Sequence, residues 1–191
     1  MSTSFYTADE LKNIGFASYG QDVLISRKAS IYSSDRISLG NHVRIDDFCI
    51  LSGKITLGDH IHISAYTGMF GGNEGIIMED YATISSRCAI YAISDDYSGE
   101  FMTNPMVPEQ YTSVTDEKVK IGMCTIIGTG STILPGVECG EGVAVGAMSL
   151  VNRSLDAWKM YAGIPCRYIK DRSKELLKYE KMLREKEKID G

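Results

Sequence analysis

Two adjacent carboxylates, Asp95 and Asp96, followed by Tyr97, open a stretch of chain that carries no histidine and no regular spacing. A carboxylate there can grip an ammonium group through a charge-assisted hydrogen bond and take its proton, although an Asp-Asp pair is also an ordinary feature of a polar loop. The chain's histidines, His42, His60 and His62, offer a different chemistry. Three imidazoles can hold zinc and leave a fourth position open, whereas a histidine that recurs at equivalent corners of a repeat needs no ligand at all. Further on, Gly146-Ala147 lacks bulky side chains, and Asn152, Arg153, Arg167 and Lys170 supply groups suited to an anion.

These groups must be positioned by a repeat. Leu39, Ile45, Leu51, Leu57, Ile63 and Met69 stand six residues apart, and Ile121, Ile127, Ile133, Cys139, Val145 and Val151 form a second such run. The fourth residue after each is small or apolar as well, for example Val43, Cys49 and Ile55, then Thr125, Ser131 and Val137. Each unit therefore sends two side chains inward. A helix needs a period near about 3.6 and a flat strand one of about 2, and neither matches six. Three units close a triangular coil, and stacked coils bury a column that no single coil could bury alone. The spacing predicts an all-β, left-handed parallel β-helix. Residues 1–24 form an N-terminal cap, 25–156 the β-helix with a loop at 95–118, and 157–191 a C-terminal segment with a helix. Thr7 and Glu10 form a capping box that starts a short helix over the open top. Leu176, Leu177, Met182 and Leu183 among Lys and Glu predict an amphipathic helix over about 173–188, expected to close the lower end.

Composition narrows the classes. A net charge of −5 over 191 residues, with no basic run outside the tail, argues against nucleic acid as a partner. The five cysteines show no Cys-x-x-Cys spacing and three fall on inward positions, so they read as buried thiols in a reducing compartment. The amino terminus has no basic start followed by an apolar stretch, and no segment is long and apolar enough to span a membrane. A cytoplasmic protein without membrane or nucleic-acid partners is expected.

The sixfold repeats, the interrupting loop and the ending Ala162-Gly163-Ile164-Pro165-Cys166-Arg167-Tyr168-Ile169-Lys170 resemble the hexapeptide-repeat acetyltransferases over nearly the whole chain. Within that family, Ile45-Asp46-Asp47-Phe48-Cys49, Ser94-Asp95-Asp96-Tyr97-Ser98-Gly99 and Gly142-Val143-Ala144-Val145-Gly146-Ala147 are similar to enzymes that acetylate the 4-amino group of a dTDP-linked 4-amino-4,6-dideoxyhexose, a building block of O-antigen and other surface polysaccharides. The resemblance implies a homotrimer with active sites between neighbouring columns, a nucleotide-sugar acceptor and acetyl-CoA as co-substrate, with no metal. It also implies substrate contacts at Arg44, Asn73, Asp96 and Tyr97. CoA is expected along Thr129, Gly146, Ala147, Asn152, Arg153, Gly163, Pro165, Arg167 and Lys170, its pantetheine arm passing the Gly146-Ala147 corner, where a main-chain N–H can meet the thioester oxygen.

One departure from the family is informative. The family's loop histidine, which deprotonates the acceptor, is absent, and Asp95 or Asp96 stands in its place. A hydroxyl needs strong help from a base, whereas a neutral amine attacks a thioester unaided. An amino-sugar acceptor follows, with Asp95 as the catalytic carboxylate and His62 as the second candidate base, since the sixth place of a unit faces outward toward a neighbouring subunit. His42 and His60 should stack at one corner at the strand spacing of about 4.8 Å. The other readings are a sugar or polysaccharide O-acetyltransferase, a zinc-dependent hydratase of the γ-carbonic-anhydrase kind and a structural scaffold.

Overall fold

The computed structural model describes residues 4–190. Its body is a three-sided parallel β-solenoid. One eight-stranded sheet, here sheet I, runs from Leu24–Ile25 through Arg44–Ile45, His62–Ile63, Thr83–Ile84, Ile126–Ile127 and Ala144–Val145 to a closing hairpin, Lys159–Gly163 and Cys166–Asp171. Sheet II stacks Ser30–Ile31, Ile50–Ser52, Gly68–Phe70, Ala89–Tyr91, Thr132–Ile133 and Leu150–Val151. Sheet III stacks Ile37–Leu39, Ile55–Leu57, Ile76–Met78, Val119–Ile121 and Glu138–Cys139. The ladder is in register, with Ile45 beside Ile63, Ile63 beside Ile84 and Ile84 beside Ile127.

Every residue of both six-spaced runs is buried, most of them fully, as are the second inward positions. The inward hydroxyls are accommodated by the corners: Thr125 donates to the Gly140 carbonyl at 3.1 Å, and Ser131 and Ser149 to that of Gly146 at 3.2 and 2.7 Å. A buried hydroxyl without such an acceptor would cost about 1–3 kcal/mol. All five cysteines are free and buried, and burial pushes the Cys139 thiol up to about 12.

Two corners hold non-glycine residues in the left-handed region, His42, His60 and Tyr81 at one and Phe48 and Tyr66 at the other, with φ between 55° and 64°. The same backbone state on each coil puts like positions directly over one another. His42 therefore stacks on His60 at 4.6 Å and His60 on Tyr81 at 4.8 Å, as the repeat implied, while Phe48 stacks on Tyr66 at 5.0 Å. These contacts offset the cost of the backbone conformation.

Helix α1 (Ala8–Ile14) begins at the expected capping box and buries Leu11 against the column. Helix α2 (Leu176–Asp190) differs from the expected lower cap. It turns back along the flank, where Glu187 meets His60 at 2.8 Å and Arg184 bonds Asp80 at 3.1 Å while lying over the Tyr81 ring. Arg172 fixes the turn before it, donating to the carbonyls of Cys124 and Gly142 at 2.8 and 3.0 Å. The strand pair Lys159–Gly163 and Cys166–Asp171 extends the column at its C-terminal end.

Candidate active site

Where the sixfold spacing lapses, the chain leaves the coil as an antiparallel ribbon, Ile93–Asp95 paired with Val114–Asp116. The ribbon and the loop at its end enclose a cavity of about 1080 Å³ against the outer face of sheet II. Its floor is Phe70 and Tyr91, stacked at 5.0 Å, with Thr132 and Leu134 beyond. Gly68 makes room for the floor, since a Cβ there would stand 2.7 Å from the Phe70 ring.

Asp95 ends its ribbon strand exposed, lines the cavity, and accepts from the Asn104 N–H at 3.3 Å. Asp96 is occupied differently: it accepts from the amides of Ser98, Gly99 and Phe101, and the Ser98 bonds above all hold its carboxyl below the ordinary value. It shapes the loop. Tyr97 lines the cavity at 94% exposure. Asn73 sits at the turn Gly71–Gly75, taking a bond from Arg36 at 3.2 Å and donating its N–H to Asp116 at the base of the ribbon.

His62 and Arg44 lie elsewhere, side by side on the outer face of sheet I, so one chain does not bring His62 to Asp95 by its ladder. Both reach Asp46: His62 Nε2 at 2.8 Å and Arg44 Nε at 2.7 Å. Burial pushes the Asp46 carboxyl up, but these two hydrogen bonds outweigh it and hold it below the ordinary value. The three histidines do not converge. His42 and His60 group with Glu187, their nitrogen and oxygen atoms within 4.8 Å of one another, and His62 stands outside that group.

The residues expected along CoA fall in two groups. Thr129, Gly146, Ala147 and Gly163 meet at the corner between sheets I and II, where Thr129 Oγ1 donates to the Ser86 carbonyl at 2.6 Å and Gly163 N–H to Ser149 Oγ at 3.1 Å. Pro165 lies in the turn between the hairpin strands, after Gly163 ends the first. Arg153 and Arg167 flank the buried Cys166, whose thiol burial raises and these cations partly lower. Asn152 follows the last strand of sheet II. Lys170 lies apart, paired with Met160 toward the far end of the hairpin. Glycine at 128 and 146 answers to the coil below: a Cβ on Gly128 would stand 2.5 Å from the Ala147 nitrogen, and one on Gly146 2.9 Å from the Ala162 side chain.

Sequence reasoning did not single out Asp46. Asp46 shares a coil position with Ser64 and Ser85, and its partnership with His62 exists only once the coils stack.

No family model matches the chain. It is 46% identical over 178 residues to a dTDP-4-amino-4,6-dideoxy-D-glucose acyltransferase of Escherichia coli, covering 92% of each protein. The structure of AntD, an N-acyltransferase from Bacillus cereus in complex with dTDP and 3-hydroxybutyryl-CoA, superposes with a TM-score of 0.95 at 52% identity, over 98% of this chain and 100% of that one. A variant of AntD in complex with dTDP-4-amino-4,6-dideoxyglucose and coenzyme A gives the same TM-score and identity over 97% of this chain and 100% of that one.

Proposed function

Because the chain belongs to the hexapeptide-repeat acyltransferases, alongside the dTDP-amino-sugar N-acyltransferases, we propose that it moves an acetyl group from acetyl-CoA to the 4-amino group of a dTDP-linked 4-amino-4,6-dideoxyhexose. The observation that carries the reading is Asp95, an exposed carboxylate at the rim of an otherwise largely apolar cavity, in a chain without a loop histidine. That arrangement suits an acceptor that arrives as an ammonium and bears a methyl group in place of a 6-hydroxyl. Asp95 holds the ammonium and draws off its first proton, and the neutral amine attacks the thioester carbonyl directly. Gly146 N–H is spent on the Tyr161 carbonyl at 2.7 Å, which leaves the Ala147 N–H to meet the developing oxyanion. Arg153 and Arg167 hold CoA phosphates. Tyr97 and Arg44 contact the nucleotide sugar, and Asn73 and Asp96 shape the loop around it.

The working unit is a homotrimer. Phe48, Tyr66 and Met148, exposed by 46%, 57% and 65%, line the corner between sheets I and II, and Leu24, Ile50 and Ile126 flank it. Three copies about an axis along this corner lay sheet I of one against sheet II of the next, and a narrow column gains burial on both faces. Sedimentation should give a particle of three times the chain's 21.0 kDa; a monomer at micromolar concentration would contradict the arrangement. Calorimetry tests the substrates: dTDP and desulfo-CoA should each bind saturably, and failure of both would overturn the assignment.

A further inference from the structure

We propose that Asp46 is a positioning residue: it fixes the His62 imidazole with Nε2 as donor and Nδ1 open, so that His62 of one copy receives the second proton shed at the Asp95 cavity of its neighbour. The inference rests on the N-acyltransferase reading and the trimer above.

The need for a second acceptor comes from the proton count. An ammonium R–NH3+ loses one proton to become a nucleophile. After attack forms the C–N bond, the tetrahedral adduct carries N–H protons on a cationic nitrogen and must lose one more before or as the C–S bond breaks. The products are the amide, R–NH–CO–CH3, the thiol of CoA, and one proton released to solvent. One of the two protons ends on the departing sulfur, so a group that accepts and then gives it up is required, with an affinity near neutrality. Asp95 is exposed at the cavity rim and suited to binding the ammonium and taking its first proton, which leaves the second to another acceptor. An imidazole is the side chain that both takes and returns one at physiological pH.

The geometry supplies that imidazole. Among the described residues His62 is the histidine outside the stack formed by His42, His60 and Tyr81. Its side chain is 43% exposed on sheet I, while that of Asp46 is 20% exposed. With Arg44 Nε on one oxygen and His62 Nε2 on the other, the ionised Asp46 can only accept, so Nε2 carries the hydrogen and Nδ1 is left as the base. The groups facing His62 are Arg44 above it and Thr83 below, the latter donating to the His62 carbonyl at 3.3 Å. None of these competes for Nδ1. In the proposed trimer, sheet I packed against a neighbour's sheet II turns this exposed edge toward the cavity whose floor is Phe70 and Tyr91.

The test is the pH dependence of kcat in the trimer, with both substrates saturating. Asp46→Asn, whose amide can donate to Nε2 and reverse the tautomer, should lower kcat by about 10²-fold, as should His62→Gln, with each KM within about twofold of wild type. Asp46→Glu should recover most of the loss. The acidic limb of the wild-type profile should vanish in His62→Gln, and nitrogen-15 shifts should report Nε2–H in wild type and lose that preference in Asp46→Asn. Wild-type turnover with full kcat and an unchanged profile in His62→Gln would overturn this inference alone. Absence of wild-type turnover would overturn the acyltransferase reading and this inference with it. If Asp46→Asn fails to fold, His62→Gln, which keeps a donor toward Asp46, decides by itself.

Discussion

Asp95 and the cations of the last coil make opposite demands on a substitution. If Asp95 acts on the reacting nitrogen, as proposed, Asp95→Ala and Asp95→Asn should lower kcat with the amino sugar by about 10²-fold and leave the KM for acetyl-CoA unchanged. Steady-state kinetics with each substrate varied in turn would check this, and a raised acetyl-CoA KM would place Asp95 on the donor side instead. As the proposed ligands of the CoA phosphates, Arg153 and Arg167 would grip ground state and transition state alike. Alanine at either should raise the acetyl-CoA KM several-fold with kcat little changed, whereas Lys170→Ala, set toward the far end of the hairpin, should do less. Equal effects at Arg167 and Lys170 would contradict the division. The place of Asp95 at the cavity was legible because it is the first acidic residue after the spacing of Ile84 and Ile90 ends. Asp46 was not, because a carboxylate inside a regular coil reads as a solvated corner, and its partner is sixteen residues away along the chain.

At the scale of elements, the column was legible throughout, since each inward position repeats a burial that only stacked coils provide. The ribbon was not, because two strands of three residues are too short to show a period. The destination of α2 was hidden for another reason: an amphipathic stripe declares that it packs, not on what, and Arg184 meets Asp80 across 104 residues of sequence. Helix α1 carries a pH-dependent tie. Hydrogen bonds from Arg27, and from Thr7 at the cap, lower the Glu10 carboxyl from an ordinary 4.5 to about 2. A lowered folded value contributes stability that is present above the unfolded value and lost as pH falls through the folded one. Amide exchange in α1 should therefore quicken as pH falls from 4.5 toward 2, after allowance for the intrinsic rate, and Glu10→Gln should remove the dependence. An equal pH response in that variant would show that other carboxylates govern the helix.

The whole molecule is a column with one long excursion, and the excursion sets Asp95 at the rim of the cavity. The cavity under it has a floor of stacked rings set by the strand spacing, while the corner proposed for the donor lies where coils with glycine at 128 and 146 succeed coils with serine at 64 and 85. In the proposed trimer, the cavity on sheet II of one copy faces sheet I of the next. The most direct measurement is mass spectrometry of the nucleotide sugar after incubation of the purified protein with acetyl-CoA and dTDP-4-amino-4,6-dideoxyglucose. The expected result is addition of one acetyl group, stable to hydroxylamine as an amide, with stoichiometric release of CoA thiol and no reaction of the 4-hydroxy analogue. Recovery of unmodified amino sugar alongside an acetylated 4-hydroxy analogue would contradict the account.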